Sequence, residues 1–80
     1  MIRKPVSFQK PLTRTLAAEI VQVASGFEAR VMIAHNQKLV NAKSMLGLLS
    51  LGLDDQDGMQ LVCEGVDEAE AAEAVTALLG

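Results

Sequence analysis

A serine and two threonines at predicted helix starts, one histidine, one thiol and a cluster of aspartates are the groups in this 80-residue chain that could do chemistry. The serine is the most suggestive. Ser44 opens an apolar run within NAKSMLGLLSLGL, residues 41–53, that carries no charge from Ser44 to Leu53. At roughly 100° per residue, Met45, Leu46 and Leu49 fall on one third of a helix, while Leu48 and Leu51 fall together on another side. A short helix on a small sheet cannot bury both sides. The expectation is that Leu48 and Leu51 enter the core and that Met45, Leu46 and Leu49 stay wet as a partner surface, with the flexible Met suited to adaptable contacts. Unmodified, Ser44 caps the helix. Phosphorylated, it would gain the backbone N–H groups and the helix dipole, adding charge beside the oily patch without unfolding the chain.

The other groups offer less. His35 is the only histidine, and it falls at a predicted hairpin turn, where a solvated side chain is expected. The lone Cys63 excludes an internal disulfide framework and a multi-cysteine zinc site, and is expected to be a small buried hydrophobe. Asp54, Asp55 and Asp57 lack the length and the closing glutamate of a calcium loop, so they read as a solvated turn. No paired acid and base, metal-ligand cluster or glycine-rich phosphate loop points to an enzyme, a metal or a cofactor.

The elements that would position these groups follow from periodicity. IRKPVSF, residues 2–8, alternates Val6 and Phe8 as a half-buried strand that Pro5 confines to an edge or a strand end. RTLAAEIVQVAS, residues 14–25, repeats apolar residues at 17, 20, 21 and 24, an amphipathic helix with Thr13 or Thr15 as its cap and Gly26 just past its end. EARVMIAHNQKLVN is a hairpin turning at Asn36. MQLVCEG is a strand with Met59, Leu61 and Cys63 on one face and Gln60, Val62 and Glu64 on the other. Asp67 is expected to cap a last helix whose first turns are rich in acids. The order strand, helix, strand, strand, short helix, strand, helix predicts an α+β sandwich, a four-stranded sheet with helices on one face.

Composition bounds the rest. Half the residues are hydrophobic, which excludes disorder, and the length suits a single domain over residues 1–80. No segment approaches the ~20 apolar residues of a membrane span, and the basic start has no apolar run behind it, so a soluble intracellular protein is expected. All seven Lys and Arg lie in residues 1–43, while residues 44–80 hold eight of the ten acids and no base. That asymmetry leaves open a solvated edge or a positive patch for an acidic partner. The net charge of −3 and the scarcity of aromatics argue against nucleic acid.

Taken together, NAKSMLGLLSLGL, LAAEIVQVASGF and EGVDEAEAA, in this order and spacing, resemble the HPr family, the phosphocarriers of the bacterial phosphoenolpyruvate–sugar phosphotransferase system. The likeness covers essentially the whole chain. It implies an open-faced βαββαβα sandwich, four antiparallel strands with three helices on one face, and it places Ser44 on the family's regulatory serine. It breaks where the family has Leu-His-x-Arg-Pro-Ala. The corresponding PLTRTLAA puts Thr13 in the histidine slot, Thr15 in the arginine slot and Leu16 in the proline slot, and a gap that brings Arg14 onto the arginine still supplies no histidine.

A threonine hydroxyl needs a base to act as nucleophile, and its phosphate ester is a poor phosphoryl donor, unlike a phosphoimidazole. The resemblance therefore implies the group of HPr-like proteins that lack the histidine. These are phosphorylated on serine by a dedicated HPr-type kinase/phosphorylase and then bind a carbon-control transcription regulator in the cytoplasm. Thr13, Arg14, Lys43, Met45, Leu46 and Leu49 are the expected contact residues around Ser44. A metabolic enzyme as partner is a further expectation, and the alternative reading is an HPr-fold binding protein or subunit with a role outside the phosphotransferase system.

Overall fold

A computed structural model describes residues 1–7, 12–35, 37–51 and 58–79. Phe8, Asn36 and the DDQDG aspartates lie outside the described residues. The elements follow the expected order: β1 (Ile2–Val6), α1 (Arg14–Ser25), β2 (Arg30–His35), β3 (Lys38–Asn41), α2 (Met45–Leu49), β4 (Met59–Glu64) and α3 (Glu68–Leu79). The strands form one antiparallel sheet in the order β1-β4-β2-β3. β1 and β2 both run antiparallel to β4 and so point the same way. The chain leaves β1, crosses over through α1, and β4 later fills the gap between the two strands, a split βαβ arrangement. The result is an α+β open-faced sandwich. Among the described residues no helix is long and apolar enough to cross a membrane.

Alternation decides the core. Val31 and Ile33 of β2, Val40 of β3, and Met59, Leu61 and Cys63 of β4 point to the helix side and are buried. Against them lie Leu16, Ala17, Ile20 and Ala24 of α1, Leu48 of α2, and Ala71, Ala72, Val75 and Leu79 of α3. With little aromatic bulk available, the small alanines of α1 and α3 let the two helices pack side by side over the sheet. The stripe on α1 differs in detail from the predicted one. Leu16 is buried and Val21 is only half-buried, because the buried row runs Leu16, Ile20, Ala24.

The helix ends are closed in two different ways. Gly26 does stand at the end of α1, but with φ −76° rather than a left-handed conformation. The helix closes in a tight turn in which the Gly26 N–H donates to the Val23 carbonyl at 3.1 Å and the Phe27 N–H to the Ala24 carbonyl at 3.2 Å. Asp67 holds the capping position by its backbone, its carbonyl accepting from the Ala71 N–H at 3.0 Å. Its carboxylate turns away, accepting from the Glu28 N–H at 3.0 Å and the Ala29 N–H at 2.8 Å. Those backbone donors, that of Glu28 foremost, hold the carboxyl below the usual aspartate range. Asp67 thus fastens the start of α3 to the loop between α1 and β2, while Glu68, the first residue of α3, accepts from the Gly65 N–H of the preceding turn at 3.1 Å.

Candidate functional site

The loop that presents Ser44 is built by short-range bonds after β3. The Asn41 side chain accepts from the Lys43 N–H at 2.9 Å, and the Asn41 carbonyl accepts from the Ser44 N–H at 3.0 Å. Ser44 is extended (φ −121°, ψ 122°); its Oγ accepts from the Gly47 N–H at 3.2 Å while its carbonyl accepts the first helical bond from Leu48 at 3.1 Å. Both features define an N-cap. A Cβ at Gly47 would make a tight 3.2 Å approach to the Asn41 carbonyl oxygen, so the glycine eases the packing of α2 on this loop. At the other end the Ser50 hydroxyl donates to the Gly47 carbonyl at 2.6 Å and the Lys38 ammonium donates to the Ser50 carbonyl at 3.2 Å.

Helical phase divides the run as its spacing predicts, with one correction. Leu48 is fully buried and Leu51 nearly so, whereas Leu46 is 83% exposed and Leu49 42%. Met45, expected in the exposed group, is half-buried against the core. The wet apolar surface is therefore a pair of leucines beside a half-buried Ser44. Leu48→Ala is expected to lower stability by about 2–5 kcal/mol. Leu49→Ala is expected to lower it by well under half as much. Urea titrations that gave equal losses would contradict this division.

Lys43 is not a free surface cation. Its ammonium donates to the Phe27 carbonyl at 2.7 Å, just past the end of α1. This contact ties the start of α2 to the C-terminal end of α1, while Thr13 and Arg14 stand at the opposite end of α1. Both are exposed, and Thr13 Oγ1 accepts from the Leu16 N–H at 3.1 Å, so Thr13 and not Thr15 caps the helix. α1 and α2 pack together, and the exposed leucines stand on α2.

His35 corrects the sequence reading. It is only 4% exposed, not a solvated turn residue, and its Nε2 has no hydrogen-bond partner among the described residues. It is the last residue of β2, two positions beyond Ile33 and four beyond Val31, so the strand's alternation turns it to the helix side. That periodicity was the available signal; placing the turn one residue too early hid it. Cys63 is buried in the same layer, and burial pushes its thiol up from the ordinary range. Neither side chain faces solvent as a nucleophile.

The family model described as "PTS HPr component phosphorylation site" matches residues 7–80. The HPr-like protein Crh of Halalkalibacterium halodurans is 43% identical over 63 residues, covering 79% of this chain and 75% of the relative. Phosphocarrier protein HPr of Treponema pallidum is 39% identical over 62 residues, covering 78% of this chain and 70% of the relative. Among solved structures, phosphocarrier protein HPr from Bacillus anthracis matches with a TM-score of 0.83 at 37% identity, covering 99% of this chain and 94% of that one.

Proposed function

The chain belongs to the HPr family of the phosphotransferase system, and on that premise we propose that it is a regulatory interaction module switched at Ser44 rather than a carrier of phosphoryl groups. The observation that carries the reading is the fate of its one histidine. His35 is sealed at 4% exposure, so no partner enzyme reaches its imidazole, and the residue aligned with the family's acceptor, Thr13, is engaged in capping α1. What remains accessible is the half-exposed hydroxyl of Ser44 with Leu46 and Leu49 beside it. A phosphate there supplies about −2 charge and three acceptor oxygens suited to a partner's arginine, and the leucines supply the desolvated contact that charge alone does not.

This reading treats residues 1–80 as one HPr-like domain working in the cytoplasm. Its partners are an HPr-type serine kinase/phosphorylase and, once modified, a carbon-control transcription regulator or a metabolic enzyme. It neither catalyses a reaction nor needs a cofactor. One observation favours a second reading, a binding subunit outside the phosphotransferase system. The Ser44 hydroxyl is already committed to the Gly47 N–H, so Leu46 and Leu49 could serve a partner without modification.

One experiment separates the two. Incubated with ATP and the HPr-type kinase of its own organism, the purified protein takes up phosphate at Ser44 and then binds its partner more tightly. Ser44→Asn, which still caps the helix, takes up none and stays in the weak-binding state. Leu46→Ala weakens the complex by roughly 1 kcal/mol or more while leaving the unfolding midpoint in place. A kinase that leaves Ser44 untouched, or an Asn variant that binds as tightly as the phosphorylated protein, defeats the switch.

A further inference from the structure

The sheet face away from the helices is not uniformly polar. Its rows run Arg3, Val62, Met32, Asn41 and then Pro5, Gln60, Ala34, Leu39, with Arg30 beside Glu64. Within them lies a depression of about 180 Å³ lined by Arg3, Arg30, Met32, Leu39, Val62 and Glu64, together with Met1 at the start of the chain. Val62 is nearly buried and Met32 half-buried, so they form an apolar floor, and Leu39 adds a wall that is 59% exposed. Arg3 and Arg30 come from the strands on either side of β4. Arg3 donates to the Gln60 side chain, which leaves most of the donors of its guanidinium without a partner among the described residues. The Arg30 side chain is exposed and makes no hydrogen bond or ion pair among the described residues.

Size and charge restrict what this face can hold. The depression is well below the roughly 300–1,000 Å³ of sites for cofactor-sized molecules, but it accommodates one aliphatic side chain. From strand spacing and rise, the whole face covers on the order of 300 Å², less than half of the ~800 Å² each partner contributes to a stable protein pair. A second copy would also set the positive excess of Arg3 and Arg30 over Glu64 against itself. An acidic segment meets the same charge favourably.

We propose that this open face docks a short acidic segment of a partner protein, one aliphatic side chain of which seats on Met32 and Val62 between Arg3 and Arg30. The sheet separates this site from Ser44 and the leucines of α2, so it stands or falls independently of the switch. The guanidiniums pair with carboxylates flanking the anchor, and the apolar floor selects for the anchor itself.

The test uses the full chain and a capped peptide carrying one leucine between pairs of aspartates, followed by amide chemical shifts in nitrogen-15-labelled protein. Shifts are expected around Arg3, Arg30, Met32 and Val62, with binding that weakens as salt is raised. Arg30→Gln is expected to weaken binding about threefold, and Met32→Gln to weaken it as well. Arg30 is exposed and unpaired among the described residues, so its variant keeps the fold, which the remaining amide spectrum verifies. The proposal is overturned by shifts centred on α1 and α2 instead, or by equal binding of a peptide with lysines in place of the aspartates. It is overturned equally if succinate alone reproduces the shifts, which would make the ligand a free anion. The same shifts on concentrating the protein alone would make the face a self-contact and reject the acidic segment.

Discussion

Replacing Gly65 by alanine is expected to remove about 2–5 kcal/mol of stability, a large share of the 5–15 kcal/mol typical of a folded domain. Two effects combine at this position. Gly65 has φ +150°, a backbone conformation that a residue with a Cβ rarely adopts. The added Cβ would also stand 2.6 Å from the Ala29 Cα and 3.0 Å from its Cβ. The nearer atom is backbone, and Asp67 clamps that backbone through the Glu28 and Ala29 N–H groups, so it cannot step aside without breaking those bonds. For the same reason Ala29→Gly is not expected to rescue the variant, since it removes the Cβ and leaves the Cα.

Two other glycines calibrate this loss. Gly58 has φ +77° with no described residue within 4 Å of its missing Cβ, so Gly58→Ala is expected to carry only the left-handed penalty of roughly 1–2 kcal/mol. Gly26 is right-handed, with the nearest atom at an ordinary 3.4 Å; Gly26→Ala should be neutral or stabilising by a few tenths of a kcal/mol, through the entropy of the unfolded chain. Urea unfolding followed by circular dichroism ranks the three. A Gly65→Ala variant no weaker than Gly58→Ala would show that the contact with Ala29 yields.

The second large effect is on phosphoryl transfer. With phosphoenolpyruvate and the general enzyme of the phosphotransferase system, the chain is expected to acquire no acid-labile phosphoryl group. An in-line transfer requires the acceptor nitrogen at contact distance from the donor phosphate, and His35 is only 4% exposed at the end of β2. Thr13 is accessible, but among the described residues no histidine or carboxylate is hydrogen-bonded to its hydroxyl to take the proton; the contact it makes there is the Leu16 N–H. Thr13→His sets an imidazole at the exposed start of α1 and is expected to gain a labile adduct that the wild type lacks. Mass spectrometry at alkaline and acidic pH distinguishes the two. A labile adduct on the wild-type chain, at His35 or elsewhere, would falsify the non-carrier reading.

The order of strands and helices, a threonine cap at the start of α1, the two faces of β4 and the opposite fates of Leu48 and Leu49 were all legible in the amino-acid sequence. Each rests on a repeat of two or 3.6 residues, or on a cap within one turn, so the residues that decide it are neighbours in the chain. His35 lay at the limit of that logic. Its alternation with Val31 and Ile33 was present, but only the pairing of His35 with Lys38 across the hairpin shows that the strand still runs there.

The rest belongs to tertiary structure. Asp67 reads locally as an ordinary cap, yet its carboxylate serves Ala29, 38 residues away in sequence. Lys43 reads as a surface cation, yet it closes on Phe27, and nothing around Gly65 announces that Ala29 will approach its missing side chain. The depression between Arg3 and Arg30 exists only because β4, formed late in the chain, enters between β1 and β2. Hydrogen-bonding groups and apolar faces are specified by residue type, but their partners are chosen when separate segments pack, and local periodicity carries no record of that choice.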